Sequence, residues 1–260
     1  RKMENNLKSI CDIVVETGKL IIKNEKDLGI EAKPGTANFV TAYDSLVQKT
    51  LISKLKILFP EAEFVGEEDG RSTYRKTGEY AFFIDPIDGT TNFINDFKAS
   101  AICVGMARNG VLEIGVVYNP FRDELFYAQR GEGAFLNGQR LNIENKGLKE
   151  GILCIDTAPY NPEIRHAVFE QIEKLSYQSM DVRCVGSSAL SICYLACGRA
   201  VGYLSPRLCV WDYAAASVIL EEAGGKLTTR NGANPDFGTY IPIIAGTCRG
   251  VDETLQIIAE

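Results

Sequence analysis

The nine residues Asp85-Pro86-Ile87-Asp88-Gly89-Thr90-Thr91-Asn92-Phe93 constrain the fold of this chain more than any other segment. They follow the apolar run at residues 81–84, which predicts a short buried strand. Pro86 cannot donate a hydrogen bond to a strand ladder, and Gly89 tolerates backbone angles that other residues avoid. We therefore expect a sharp turn in place of a continuing strand. This turn would bring the two aspartates of the segment to one edge of a sheet.

The same segment carries groups that suit both a metal ion and an anion. The carboxylates of Asp85 and Asp88 and the carbonyl of Ile87 are hard oxygen ligands of the kind that Mg²⁺ or Mn²⁺ prefers. The backbone amides of Gly89 and Thr90 would open a helical turn, where N–H groups bind phosphate oxygens. Asp-Pro and Asp-Gly are also common turn formers, so this segment alone does not distinguish a site from an ordinary turn.

Charge and composition exclude several classes of partner. With 260 residues, 45% of them hydrophobic, the chain is long enough to bury a substantial core. Its net charge of −6 argues against nonspecific binding to nucleic acid or to an anionic membrane, which needs a basic face. No apolar run approaches the roughly 18 residues of a membrane span, and residues 1–6 lack a signal-peptide core. We expect a cytoplasmic protein with neither nucleic acid nor membrane as a partner.

The eight cysteines and the single histidine argue against disulfides and zinc. The cysteines are scattered, mostly among apolar neighbours, and no two form a Cys-x₂-Cys pair, so we interpret them as reduced thiols. His166 lies in the first turns of a predicted surface helix. This position disfavours both a zinc site of the Cys/His kind and a Ser-His-Asp triad.

Apolar periodicity predicts a layered α/β protein in which helices and strands alternate. Helices are predicted at residues 4–24, 42–59, 162–175, 187–197, 212–223 and 250–259. Strands are predicted at residues 64–66, 81–84, 100–106, 111–118, 124–129, 152–156, 181–185, 200–204, 226–229 and 241–245. The strands between residues 100 and 129 are separated by short turns, which predicts an antiparallel meander. No segment is typical of a linker, so residues 1–260 should pack as one unit with lobes at about 1–150 and about 151–260.

Two other acidic segments lie where secondary-structure elements are predicted to end or begin. Glu67 and Glu68 follow a short apolar strand, and Asp212 precedes an alanine-rich helix. The glutamates also fit an exposed acidic turn, and Asp212 also fits a helix N-cap. An N-cap aspartate stays ionised beside the positive end of its helix, so capping and metal binding are compatible.

The acidic segments together resemble one family. The segments are Gly66-Glu67-Glu68, the segment at 85–93, and Trp211-Asp212-Tyr213-Ala214-Ala215-Ala216 leading to Glu222-Ala223-Gly224-Gly225. Their combination resembles the inositol monophosphatase family of Mg²⁺-dependent, lithium-sensitive phosphatases. The wider superfamily includes fructose-1,6-bisphosphatases and 3′-phosphonucleotide phosphatases. The resemblance extends from about Leu7 to the C-terminus and implies a layered α-β-α-β-α sandwich that assembles as a homodimer.

The resemblance also implies a role for individual residues. The metal ligands would be Glu67, Asp85, the carbonyl of Ile87, Asp88 and Asp212. Without a cation these carboxylates would repel one another, so cation binding should stabilise the fold.

The implied catalytic and phosphate-binding groups lie close to these ligands in sequence. Asp44 and Thr90 would activate the attacking water, with Glu67 also placed to orient it. The amides of Gly89 and Thr90 would bind the phosphate.

The implied substrate contacts lie in the second lobe. Gly186, Ser187 and Ser188 match a turn whose backbone contacts the leaving group, although a plain helix N-cap explains them equally well. Ser205 stands where the animal inositol enzymes carry a glutamate that grips the inositol ring. With Pro206 and Arg207 beside it, this position favours a leaving alcohol that is more anionic than inositol or different from it.

The resemblance predicts Mg²⁺-dependent hydrolysis, with Mn²⁺ as a possible substitute, of a small phosphorylated polyol or sugar such as inositol 1-phosphate. Activity on fructose 1,6-bisphosphate or 3′-phosphoadenosine 5′-phosphate is the alternative. Two other classes are less favoured. Residues 193–199 match Cys-x₅-Arg, but they predict a helix and not the phosphate-wrapping loop of a thiol phosphatase. A non-catalytic sugar-phosphate binding protein would be expected to lack a ligand or Thr90, and every such position is filled.

Overall fold

A seven-stranded sheet and a five-stranded sheet form the frame of the protein. The computed structural model describes residues 2–22, 29–33, 39–69, 74, 76, 78–238 and 240–259. The helices are α1 Lys2–Ile22, α2 Ala42–Leu58, α3 Thr90–Ile94, α4 Arg165–Ser176, α5 Ser188–Ala196, α6 Val210–Glu222 and α7 Cys248–Ala259. The strands are β1 Glu31–Ala32, β2 Phe39–Val40, β3 Glu63–Gly66, β4 Tyr80–Asp88, β5 Ala101–Arg108, β6 Val111–Asn119, β7 Glu124–Gln129, β8 Gly133–Leu136, β9 Gln139–Leu141, β10 Ile152–Ile155, β11 Asp181–Arg183, β12 Gly202–Leu208, β13 Lys226–Thr229 and β14 Ile241–Gly246.

The large sheet runs in sequence order from β3 to β9. Strands β4 to β9 are antiparallel neighbours. Short turns join β5 to β9 in sequence, which confirms the predicted meander, whereas α3 lies between β4 and β5. Strand β3 pairs with β4 in parallel. The small sheet has the order β11-β10-β12-β14-β13, with parallel pairing around β10 and antiparallel pairing around β14.

Alternating side chains on the two faces of the large sheet belong to two different hydrophobic cores. Phe82 and Ile84 of β4 pack with α1 and α2, whereas Ala81 and Phe83 pack with the helices α5 and α6 that lie between the sheets. Helices α4 and α7 pack against the outer face of the small sheet. Because successive strand residues point to opposite faces, each strand serves both neighbouring layers. The predicted α-β-α-β-α sandwich is confirmed.

Two glycines allow α6 to lie close against the large sheet. Gly105 of β5 and Gly115 of β6 are paired across the ladder and both face the middle of α6. A Cβ atom at Gly115 would lie 2.0 Å from the carbonyl oxygen of Ala215, and one at Gly105 would lie 3.0 Å from the Ala215 nitrogen. This close packing fixes the helix that carries Asp212.

Several predicted boundaries differ from the structure. Strand β4 does not end in a sharp turn after residue 84 but continues to Asp88. Strand β12 begins at Gly202 and ends at Leu208, displaced from the predicted 200–204. Residues 162–164 form a 3₁₀ turn before α4. The predicted end of the first helix, at residues 23 and 24, lies outside the described residues. No helix within the described ranges has the length and apolarity needed to cross a membrane.

Candidate active site

A cavity of about 600 Å³ opens where the ends of β4, β10 and β12 meet the first turns of α3, α5 and α6. Most of the predicted site residues line it: Glu67, Asp85, Ile87, Asp88, Gly89, Thr90, Gly186, Ser188, Ser205 and Asp212. These residues come from segments that are far apart in sequence. The fold therefore gathers the three acidic segments around one space.

A bulge in β4 explains why Asp85 and Asp88 share this cavity. Asp85 pairs with Cys103 and Asp88 pairs with Ala101, so two residues of β4 oppose one residue of β5. Residues three apart in a regular strand point to opposite faces, and the extra residue of a bulge returns them to the same face. Pro86 lies in the bulge, where it disturbs no regular ladder bond, and the amide of Ile87 donates to Asp85 Oδ1 at 3.1 Å.

The chain turns at Gly89, one residue after the strand. Gly89 has φ +88°, and a Cβ atom there would lie 2.9 Å from the Gly186 carbonyl oxygen and 3.1 Å from that of Ala99. Glycine is therefore required by both the backbone conformation and the lack of space. Ser100 Oγ donates to the Gly89 carbonyl at 2.9 Å, which holds the turn before α3 begins at Thr90.

Asp88 links the end of β4 to the start of α5. Its carboxylate accepts hydrogen bonds from the Ala189 amide at 2.8 Å, the Ser188 amide at 3.3 Å and the Ser187 hydroxyl. Burial raises the pKa of Asp88 to about 7, although these hydrogen bonds oppose the rise. Ser187 is buried behind Asp88 as the N-cap of α5, and it does not line the cavity as Ser188 does.

Burial and mutual repulsion raise the pKa values of the other aspartates in the cavity. Burial is the main cause for Asp85, followed by the charges of Glu67, Asp88 and Asp212. The pKa of Asp212 is raised by burial and then by Glu67 and Asp88. Asp212 lies in the first turn of α6 and not at its N-cap, and its Oδ2 accepts from the Cys209 amide at 2.7 Å. The cavity therefore concentrates negative charge that a bound cation would relieve.

The donor chemistry fits a hard divalent cation. The acids and the Ile87 carbonyl offer only oxygen atoms, as Mg²⁺ requires. Within the described part of the chain, no group of three or more acidic, histidine or cysteine side chains is already arranged around one point as metal ligands. Lys33 supplies the local positive charge, with Nζ 2.9 Å from Glu67 Oε1 and 2.6 Å from Glu68 Oε1.

Asp44 lies outside the cavity lining, at the start of α2. Its Oδ2 accepts from the Thr41 amide at 2.7 Å and from the Thr41 hydroxyl at 2.6 Å, which forms a capping box. The Thr90 hydroxyl donates to the Ile87 carbonyl at 3.1 Å. The two side chains predicted to act together are thus held by different partners in this structure.

We expect Asp44→Asn to reduce the pH dependence of stability in EDTA. Burial raises the pKa of Asp44 from 3.8 to about 6, against the opposing hydrogen bonds from Thr41. The folded state therefore binds this proton more tightly than the unfolded state. The resulting stabilisation is complete below pH 3.8 and is lost as the pH rises through 6. Between pH 5 and pH 7.5 the loss should be on the order of 1 kcal/mol larger for the wild type than for the variant.

Urea unfolding of both proteins at the two pH values measures this difference. The Asn side chain keeps an oxygen for both Thr41 donors, so the cap is preserved. Equal pH slopes for the two proteins would contradict the assignment of this proton to Asp44.

Sequence reasoning missed Asp156, Tyr160 and Tyr240, which also line the cavity. Asp156 directly follows β10, so it shows the same signal that drew attention to Glu67 and Asp85: an acid at the end of an apolar strand. Tyr160 and Tyr240 lie in segments without clear periodicity, and Tyr240 stacks against the guanidinium of Arg207 at 4.2 Å from the ring centre. No local signal marks these two tyrosines.

The alternative thiol chemistry has no structural support. Cys193 is buried within α5, and burial raises the pKa of its thiol well above the ordinary value. Arg199 is bound by Glu124, with guanidinium-to-carboxylate distances of 2.6 and 3.2 Å. The eight cysteines are free thiols, and the His166 side chain is 90% exposed. The predictions of reduced cysteines and of a solvated histidine are confirmed.

Comparisons with known proteins agree with the cavity. The sequence profile of the inositol monophosphatase family matches residues 2–258. Inositol monophosphatase 2 of Rattus norvegicus is 34% identical over 241 residues, which cover 90% of this chain and 83% of that protein. Nus factor SuhB of Pasteurella multocida is 34% identical over 224 residues, which cover 86% of this chain and 83% of that protein.

A solved structure shows the same fold. Inositol monophosphatase from Anabaena (Nostoc) sp. PCC 7120 aligns with a TM-score of 0.86 and 27% identity, covering 100% of this chain and 97% of that chain. The family match and these relatives support phosphatase activity. Since the match spans nearly the whole sequence and includes every acidic segment of the cavity, the chain belongs to the inositol monophosphatase family.

Proposed function

We propose that this protein is a Mg²⁺-dependent phosphomonoesterase that acts on inositol 1-phosphate or a related polyol or sugar phosphate. The observation that carries the proposal is the gathering of Glu67, Asp85, Asp88 and Asp212 around one cavity, where burial and repulsion raise the aspartate pKa values. Such a cluster costs stability unless a cation binds it. It is therefore more consistent with a metal-dependent site than with a structural role.

The residues that would hold the cation are Glu67, Asp85, Asp88, Asp212 and the carbonyl of Ile87. A bound Mg²⁺ would supply charge neutralisation on the phosphoryl oxygens and a lowered pKa for the attacking water. Mn²⁺ offers the same preference for oxygen ligands.

The remaining steps belong to the side chains and amides of the protein. The amides of Gly89 and Thr90 would bind phosphate oxygens at the turn after β4. Thr90 would leave its bond to the Ile87 carbonyl and pass the proton of the attacking water to Asp44, which is ionised above a pKa of about 6. Glu67 would orient that water.

The leaving alcohol would lie against Gly186, Ser188 and Ser205, and Ser187 would fix Asp88 from behind. Gly186, Ser188 and Ser205 line the cavity, and Ser187 is buried beside Asp88. Family resemblance further suggests lithium inhibition, a homodimer and a cytoplasmic location.

We expect phosphate release from inositol 1-phosphate to require Mg²⁺ and to fall at least about 100-fold in EDTA, because metal supplies most of the charge stabilisation. Assays of inositol 1-phosphate, fructose 1,6-bisphosphate and 3′-phosphoadenosine 5′-phosphate would rank the substrates. Faster turnover of either bisphosphorylated compound would favour the alternative specificity. Binding of Mg²⁺ without turnover of any substrate would favour a non-catalytic sugar-phosphate binding protein.

A further inference from the structure

Asp156 is an acidic residue in the cavity that the proposed metal site does not use. It lies at the end of β10, and its Oδ2 accepts hydrogen bonds from the Tyr203 hydroxyl and from Ser188 Oγ, the latter at 3.3 Å. Burial raises its pKa, while hydrogen bonds from Tyr203, Ser205 and Ser188 oppose the rise. Tyr203 is fully buried and Ser205 nearly so, so the carboxylate is supported from behind by groups that cannot move away.

The position of Asp156 is tied to the metal end of the cavity through one residue. The Ser188 amide donates to Asp88 Oδ1 at 3.3 Å, and the Ser188 hydroxyl donates to Asp156 Oδ2 at the same distance. Ser188 thus contacts both carboxylates, and a phosphate bound beside Asp88 would be separated from Asp156 by this residue. A hydroxyl group on the leaving alcohol could reach that carboxylate.

The strand register places Asp156 beside Ser205. Ile155 of β10 pairs with Leu204 of β12, and the Asp156 amide donates to the Leu204 carbonyl at 3.0 Å. Paired residues of neighbouring parallel strands share a face of the sheet, so Asp156 and Ser205 present their side chains to the same end of the cavity. The carboxylate at this end is therefore supplied by β10, while β12 supplies a hydroxyl.

The charges around Asp156 and Ser205 make this end of the cavity suited to the neutral hydroxyl groups of a substrate. Of the described residues that line the cavity, the cations are Lys33 and Arg207. Lys33 is paired with Glu67 and Glu68, and Arg207 is exposed at the rim against Tyr240. An anionic group placed beside Asp156 would meet the like charge of this half-buried carboxylate, which is an effective means of excluding a ligand.

We propose that Asp156 is a substrate-binding residue that accepts a hydrogen bond from a hydroxyl of the leaving alcohol and disfavours a second phosphate there. This inference rests on the proposed phosphatase function and narrows it to monophosphates of polyhydroxy alcohols. Substrate specificity would then depend on Asp156, at the end of β10, as well as on Ser205.

Asp156→Asn tests the proposal with substrates that differ only in their hydroxyls. Glycerol 2-phosphate and isopropyl phosphate share a carbon skeleton, but only the first carries free hydroxyls. Because a hydrogen bond to a charged group is lost, we expect kcat/KM for glycerol 2-phosphate and inositol 1-phosphate to fall about 10- to 100-fold. The value for isopropyl phosphate should change less than about threefold, and that for fructose 1,6-bisphosphate should rise relative to inositol 1-phosphate.

The asparagine oxygen can still accept from Tyr203 and Ser188, so the fold should be kept, and thermal unfolding checks this. Asp156→Ser is a second variant that leaves a hydroxyl partner for Tyr203, and it should show the same substrate dependence. An equal fall for glycerol 2-phosphate and isopropyl phosphate, or no fall for either, would overturn the assignment. A wild-type protein inert toward all four esters with Mg²⁺ would instead overturn the proposed function, and this assignment with it.

Discussion

Asp85→Asn should reduce Mg²⁺-dependent phosphate release by at least about 1,000-fold while making the metal-free protein more stable. Asp85 is 2% exposed, and its charge repels those of Glu67, Asp88 and Asp212. Replacing it with an isosteric amide removes a buried charge that the wild type keeps for binding the cation. The asparagine oxygen can still accept from the Ile87 amide. We expect a gain of about 0.5–2 kcal/mol in the free energy of unfolding in EDTA.

Opposite changes in activity and stability distinguish a metal ligand from a structural residue. Urea unfolding with EDTA and with Mg²⁺ measures both effects, because Mg²⁺ should stabilise the wild type much more than the variant. Asp12→Asn is a matched control on α1, where the carboxylate is exposed and paired with Lys8 at 2.6 Å. A variant that loses stability in EDTA, or that keeps the wild-type response to Mg²⁺, would refute the assignment of Asp85 as a ligand.

The layers and the meander could be predicted from the sequence because they depend on local periodicity. The bulge in β4 could not. Pro86 and Gly89 correctly mark a departure from regular structure. Whether the chain turns or bulges there depends on its pairing with β5, and nothing in residues 85–88 indicates which strand they pair with. The same limit applies to Ser187, whose bond to Asp88 joins residues that are 99 positions apart.

Two other features of the site do have a signal in the sequence. Thr41-Ala42-Tyr43-Asp44 has the spacing of a capping box, so the partner of Asp44 could have been predicted. Asp156 follows β10 as Asp85 follows the apolar run before it. Most of the residues assigned by resemblance line the cavity. An oxygen-rich metal site needs acids from several strand ends, so the positions of the metal ligands are restricted. The positions of the substrate contacts are less restricted.

Gly115→Ala should destabilise the protein by about 3 kcal/mol and weaken Mg²⁺ binding, although Gly115 is not in the cavity. The added Cβ atom would lie 2.0 Å from the carbonyl oxygen of Ala215 and 3.2 Å from Val218 Cβ. The first contact is with helix backbone, so no side-chain rotation relieves it and α6 must move away from β6. Because Asp212 lies in the first turn of α6, this movement would displace a proposed metal ligand.

Gly78→Ala separates this effect from the general cost of replacing a glycine. A Cβ atom at Gly78 would lie 3.4 Å from its nearest neighbour, the Glu61 carbonyl oxygen, which is ordinary contact. The control should therefore change the free energy of unfolding by less than about 1 kcal/mol and leave Mg²⁺ affinity unaltered.

Isothermal titration with Mg²⁺ measures the affinity of both variants. If Gly115→Ala loses stability but binds Mg²⁺ as the wild type does, then the close packing of α6 serves the fold alone. A loss of about tenfold or more in affinity would instead show that the close packing at Gly115 positions Asp212 for the site.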